Sequence, residues 1–234
     1  MRVKLLAVLL LCGGVRLSAQ TIVQEVTVLS QGAHVSPVEL KAPTGKGNLI
    51  IAMSTMLNPG LKVVSVTDDA PDGGNVYKQI AGASSSCANK PIDIWYCENC
   101  KPGVAELRFH LSAAAIASAY SVLELSNMAL SSVVDGSGGQ VSDGTATSAG
   151  QQVGASITTT ARDFIVARYF PSAPRPTGVT PAAWTYNPSY VYVLNAPPGT
   201  YQPTLTGAKA DGSFCMSVAA FKTAAAGAGS DSKK

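Results

Sequence analysis

Hydrophobic and polar residues alternate with period two through most of this chain, in short runs bounded by Gly, Pro, Asn and Asp. That alternation is the mark of half-buried β-strands. It predicts strands over residues 21–29, 38–41, 48–57, 61–67, 76–81, 92–97, 105–111 and 117–126. Further strands are predicted over 131–135, 152–159, 163–170, 184–194, 201–205 and 213–221. The breaks are chemically explicit: Asn58-Pro59-Gly60, Asp72-Gly73-Gly74-Asn75, Lys101-Pro102-Gly103 and Pro197-Pro198-Gly199 are turn formers. No window carries a 3.6-residue apolar stripe; the nearest, the Ala-rich stretch 112–120, allows one short helical turn. About a dozen short strands without helices predict an all-β protein, an antiparallel and jelly-roll-like β-sandwich.

The first residues depart from this pattern. Arg2 and Lys4 precede an apolar run from Leu5 to Cys12, and a short segment follows that ends Leu17-Ser18-Ala19. This is the layout of a secretory signal peptide, with an apolar run too short to span a bilayer. The expected organisation is a signal peptide over 1–19, a β-sandwich domain over 20–222 and a disordered, small-residue tail over 223–234. Lipid anchoring at Cys12 is the alternative, disfavoured because Leu11 stands where a small residue belongs. A membrane span over residues 111–130 is disfavoured as well, since Glu124 at its centre would cost about 2.5–3.5 kcal/mol. The expected setting is therefore secreted or periplasmic.

Removing the signal changes the charge. The chain has 17 Lys+Arg against 14 Asp+Glu, and Arg2, Lys4 and Arg16 lie in the signal, which leaves 14 against 14. A neutral chain whose basic residues are scattered singly has no electrostatic footprint for nucleic acid. The expected partners are instead a glycan or another surface protein.

Several segments resemble, in order, a family of secreted bacterial β-sandwich domains. They are GNLIIAMSTM, VVSVTDDAPDGGNVYKQI, IDIWYCEN, AELRFHLS, AYSVLELSNM, SITTTARDFIVARYF and PPGTYQPTLTGAKADGSFCMSVAAFK. The resemblance runs from Gly47 to Lys222. Its motifs are structural, so it implies a fold and an extracellular setting and transfers no catalytic residue.

Five features are candidates for chemistry. Cys97-Glu98-Asn99-Cys100 follows a predicted strand and precedes a Pro-Gly turn, whereas a redox pair of this spacing belongs at a helix N-terminus. Lys101 stands where haem attachment needs His. Zinc would recruit Cys87, Cys215, His34 or His110, but an extracytoplasmic chain favours disulfides. An extended strand holds Cys87 and Cys97 roughly 20–30 Å apart, against the ~7 Å limit for a bridge. Cys100, just past the same strand end, is nearly as poor a partner for Cys87, so of the three pairings Cys97–Cys100 with Cys87–Cys215 is favoured.

Asp68, Asp69, Asp72 and Asn75 crowd one turn and form a candidate Ca²⁺ site, although Asp, Gly and Asn are also what a tight hairpin demands. Trp184, Tyr186, Tyr190 and Tyr192 are a candidate glycan-stacking platform; strand parity turns half of these rings into the core. Catalysis has weak support. His110 alternates with Phe109 and Leu111 and so faces solvent, His34 has no nucleophile motif beside it, and no spacing selects a carboxylate pair for a glycan-active hydrolase. Glu124 is an acid in an apolar strand; if buried it needs a partner, for which Arg168 is the candidate. The function these features predict is that of a non-enzymatic extracellular binding or structural module.

Overall fold

The computed structural model describes residues 19–30, 33–135, 138–170 and 175–225. Residues 1–18 of the expected signal peptide, with Cys12, and 226–234 of the expected tail lie outside the described residues. The described chain is all β, and every strand pairing in it is antiparallel.

One five-stranded sheet runs in the order β1 (Thr21–Ser30), β8 (Ser118–Ser126), β3 (Leu49–Met56), β6 (Lys90–Cys97), β5 (Lys78–Cys87). A second runs β14 (Thr185–Asn187), β15 (Tyr190–Ala196), β12 (Asp163–Phe170), β18 (Ser213–Lys222), β9 (Gly139–Thr145). A three-stranded sheet joins β2 (Val35–Glu39), β7 (Glu106–Leu111) and β4 (Val63–Asp68). A smaller one joins β10 (Gln152–Val153), β17 (Thr204–Thr206) and β13 (Gly178–Thr180), and β11 (Ile157–Thr159) pairs with β16 (Gly199–Tyr201).

Alternate residues of the central strands enter different cores. From β3, Ile50, Ala52 and Met56 pack with Leu107 and Phe109 of β7, while Leu49, Ile51 and Met53 pack with Phe164 and Val166 of β12. From β12, Ile165, Ala167 and Tyr169 point the other way, against Trp184 and Leu205. The first sheet is thus covered on both faces, and so is the second. This explains why β3 is apolar at nearly every position and buried throughout. A strand buried on both faces gains nothing from alternation.

Elsewhere the local pattern misleads. Residues 139–145 (GQVSDGT) are a strand that their composition argues against; they pair with the outer edge of β18. Residues 178–180 form a strand that the alternation does not indicate, and the stretch 152–159 is two strands interrupted at Gly154, whose amide donates to the Pro203 carbonyl. Residues 131–135 contribute one bridge, Val134 to Phe221, in place of the strand expected there. Residues 112–117 form no helical turn; the amide of Ala115 donates instead to the Ala33 carbonyl. Pairing runs on past Lys222, with Thr223 opposite Met128 and Ala224 bonded to Asn127.

Candidate functional site

The four cysteines end up as the extended-strand argument places them. Cys87 and Cys100 lie at opposite ends of the β5–β6 hairpin region, and the bridges are Cys87–Cys215 and Cys97–Cys100, with Cα separations of 5.5 and 5.9 Å. All four are buried. The first bridge ties the β5 end of one five-stranded sheet to β18 of the other, across 128 residues of sequence.

The aromatic residues do not form a stacking platform. Trp184 is 5% exposed and Tyr190 1% exposed, so neither offers a free ring face. Trp184 fills the outer core with Ile165 and Val193, and Tyr190 and Tyr192 line the inner core with Phe164. Tyr186 is half-buried and its hydroxyl donates to the Pro176 carbonyl. Pro188-Ser189 is the turn of a regular hairpin in which Asn187 pairs with Tyr190.

In the acidic turn, Asp68 accepts from the amides of Ala70 and Asn75, from the Asn75 side chain and from the Tyr77 hydroxyl. Asp69 accepts from the amides of Ala105 and Glu106. Burial works to raise the Asp69 pKa, but those two amides and Arg108 outweigh it and hold it below the ordinary value. Asp72 contributes its backbone carbonyl, to Lys101. These oxygens are occupied by N–H and O–H donors, which is the chemistry of a braced hairpin, and no cluster of acids suited to a metal occurs among the described residues.

Glu124 and Arg168 are both buried, but they do not pair. Even-numbered Glu124 faces the β7 side of its sheet, where it accepts from Gln24, Gly45 and Asn48 at 2.6–2.7 Å. Arg168 faces the space between the two large sheets and donates to Thr55, Ser121 and the carbonyls of Ser189 and Ala119. Burial lowers its pKa to about 10, so the guanidinium stays charged at neutral pH. His110 accepts or donates at the surface with Thr67, 2.8 Å away.

What the structure does assemble is a polar cleft of about 390 Å³ between β5, β6, β9 and the segment before β4. Its origin is a bulge. Gln79 pairs with Trp95 and Ser84 pairs with Asp93, so four residues of β5 oppose the single Ile94 of β6. The surplus loops inward: Ile80 and Ala83 enter the inner core, while Gly82 at φ +76 lies against the Gly138 carbonyl. Only a residue tolerant of positive φ fits there. Gln79 and Ser84 are left flanking Asp93. Its Oδ1 accepts from Gln79 at 2.9 Å and from the Ser84 hydroxyl. No donor among the described residues reaches Oδ2. Asp93 is 2% exposed, and burial raises its pKa despite those two bonds. Behind it, directly opposite on β3, stands Ser54, whose buried hydroxyl also lacks a partner. Lys62, Asn89 and Gln140 complete the walls.

Asp93 is not among the residues the sequence singles out, although its signal is the one that marks Glu124: an acid inside an apolar strand, Ile92-Asp93-Ile94. The bulge that opens the cleft leaves no such trace.

No family model matches the chain, and no curated protein matches it in sequence.

Proposed function

We propose that this protein is an extracellular, non-catalytic binding module whose ligand is a surface glycan held in the Asp93 cleft. The carrying observation is the Asp93 carboxylate, whose Oδ2 takes no donor from the described residues, at the base of a cleft of ligand-binding size. Two buried disulfides support an oxidising compartment, in keeping with the signal-like N-terminal segment and with the resemblance to secreted β-sandwich domains. A single acid among the lining residues favours binding over hydrolysis, which needs two carboxyls about 5–9.5 Å apart.

The test is a glycan array probed with the purified mature protein and read for retention and for product release. Retention without turnover is expected. Product release would overturn the non-catalytic reading, and absence of retention would overturn glycan binding.

A further inference from the structure

The cleft's own chemistry narrows the ligand further. Among the described lining residues only Asp93 and Lys62 are charged, one of each sign. A cationic ligand would be repelled by Lys62 and an anionic one by Asp93, so the balance favours a neutral molecule. The remaining polar lining is made of side-chain amides and hydroxyls: Gln79, Ser84, Asn89 and Gln140 each donate and accept. Among the described residues no aromatic ring lines the cleft, so recognition here rests on hydrogen bonds and not on stacking.

Asp93 sets the polarity of the first bond. Its Oδ1 is already occupied, by Gln79 and Ser84. Oδ2 faces the cleft as an acceptor alone, and an O–H donor is the neutral group that satisfies a carboxylate best. Around it, Asn89 sits at the tip of the β5–β6 hairpin, fixed at φ +59 and with its carbonyl held by the Gly60 amide at 2.7 Å. Gln140 reaches in from the opposite wall on β9. Donors and acceptors therefore converge from three separate elements onto a volume suited to one small polyol.

Resting on the glycan-binding reading, we infer that the cleft is a subsite for one neutral sugar unit, with a sugar hydroxyl donating to Asp93 Oδ2 and neighbouring hydroxyls bonded by Asn89 and Gln140. Loss of this bond weakens binding without disturbing the sheets, because Asn has the shape of Asp and can still accept from Ser84 and Gln79.

The experiment titrates the folded, disulfide-bonded protein by NMR with glucose, galactose, mannose and N-acetylglucosamine. Putrescine and glucose 6-phosphate serve as cationic and anionic comparisons. At least one neutral sugar is expected to bind, more tightly than either charged probe. Asp93→Asn is expected to weaken it about tenfold or more, the consequence of removing a hydrogen bond to a charged group. Gln140→Ala, an exposed change on β9 that leaves the core intact, is expected to weaken it by a smaller factor. Preference for putrescine would overturn the inference in favour of a cation site. Sugar binding insensitive to both substitutions, or retention on the glycan array with no response at Asp93, would overturn the subsite and the placing of the glycan in the Asp93 cleft, while leaving glycan binding standing elsewhere on the surface. No response to any sugar together with no array retention would overturn both.

Discussion

Replacing Asp163 by Asn should make the protein more stable at neutral and alkaline pH, not less. Asp163 opens β12 and is fully buried, with its carboxyl against that of Asp135. Asp135 accepts from the Thr160 hydroxyl at 2.7 Å and from the amides of Thr160 and Ala161. Burial and the neighbouring carboxylate raise the Asp163 pKa to about 8. For Asp135 burial acts in the same direction, but the Thr160 and Ala161 donors and the Asp163 proton outweigh it and bring the value to about 2. The pair thus shares one proton, and Asp163 holds it.

The signs of the two contributions differ. Asp163 has a folded pKa above its ordinary 3.8, so its contribution is complete below about pH 4 and is lost as pH rises toward 8. Asp135 is shifted the other way; its contribution is present above about pH 4 and lost as pH falls toward 2. One proton corresponds to about 1.4 kcal/mol per pH unit, so roughly 3 kcal/mol disappears between about pH 5 and pH 7. Lys222, opposite Asp163 on β18, opposes this loss, and Tyr201 and Arg162 are further titratable groups close by. In Asp163→Asn an amide N–H takes the place of the shared proton and does not titrate. Urea unfolding from pH 4 to pH 9, with both disulfides intact, measures the effect. The variant should match the parent near pH 4 and exceed it by a few kcal/mol at pH 8. Parallel curves for the two proteins would refute the shared proton.

Two further outcomes follow from the same structure. Trp184→Ala should cost about 3–5 kcal/mol, as for other large aromatic truncations in a core, and leave the affinity of the remaining folded protein for any glycan unchanged; a binding loss at full stability, read by urea unfolding and array retention together, would return Trp184 to the surface. The double change Cys87→Ser with Cys215→Ser should lower stability by about 2–5 kcal/mol, because the loop that this bridge closes is long, and peptide mapping without reductant should recover Cys97–Cys100 intact in that variant.

Much of this architecture is legible along the chain. Alternation marks β1 and β7 because a strand with unlike faces must repeat every second residue, and Asn-Pro-Gly or Asp-Gly-Gly breaks it for want of allowed backbone geometry. The cysteine pairing follows from the length of an extended strand alone, since β6 separates Cys87 from Cys97. What no local pattern carries is the neighbour. Residues 139–145 are a strand only because β18 offers them an unpaired edge. Glu124 and Arg168 suggest an ion pair by charge, yet the sheet turns them to opposite sides, and each is satisfied by groups far away in sequence. Trp184 and Tyr190 are core residues because a further layer covers the second sheet. The Asp93 cleft depends on β5, β6, β9 and the segment before β4, and on a bulge whose one local sign is Gly82. Strand propensity and turn chemistry act between residues close in sequence and so can be read there; burial, register and convergence arise between residues far apart, and only the folded chain decides them.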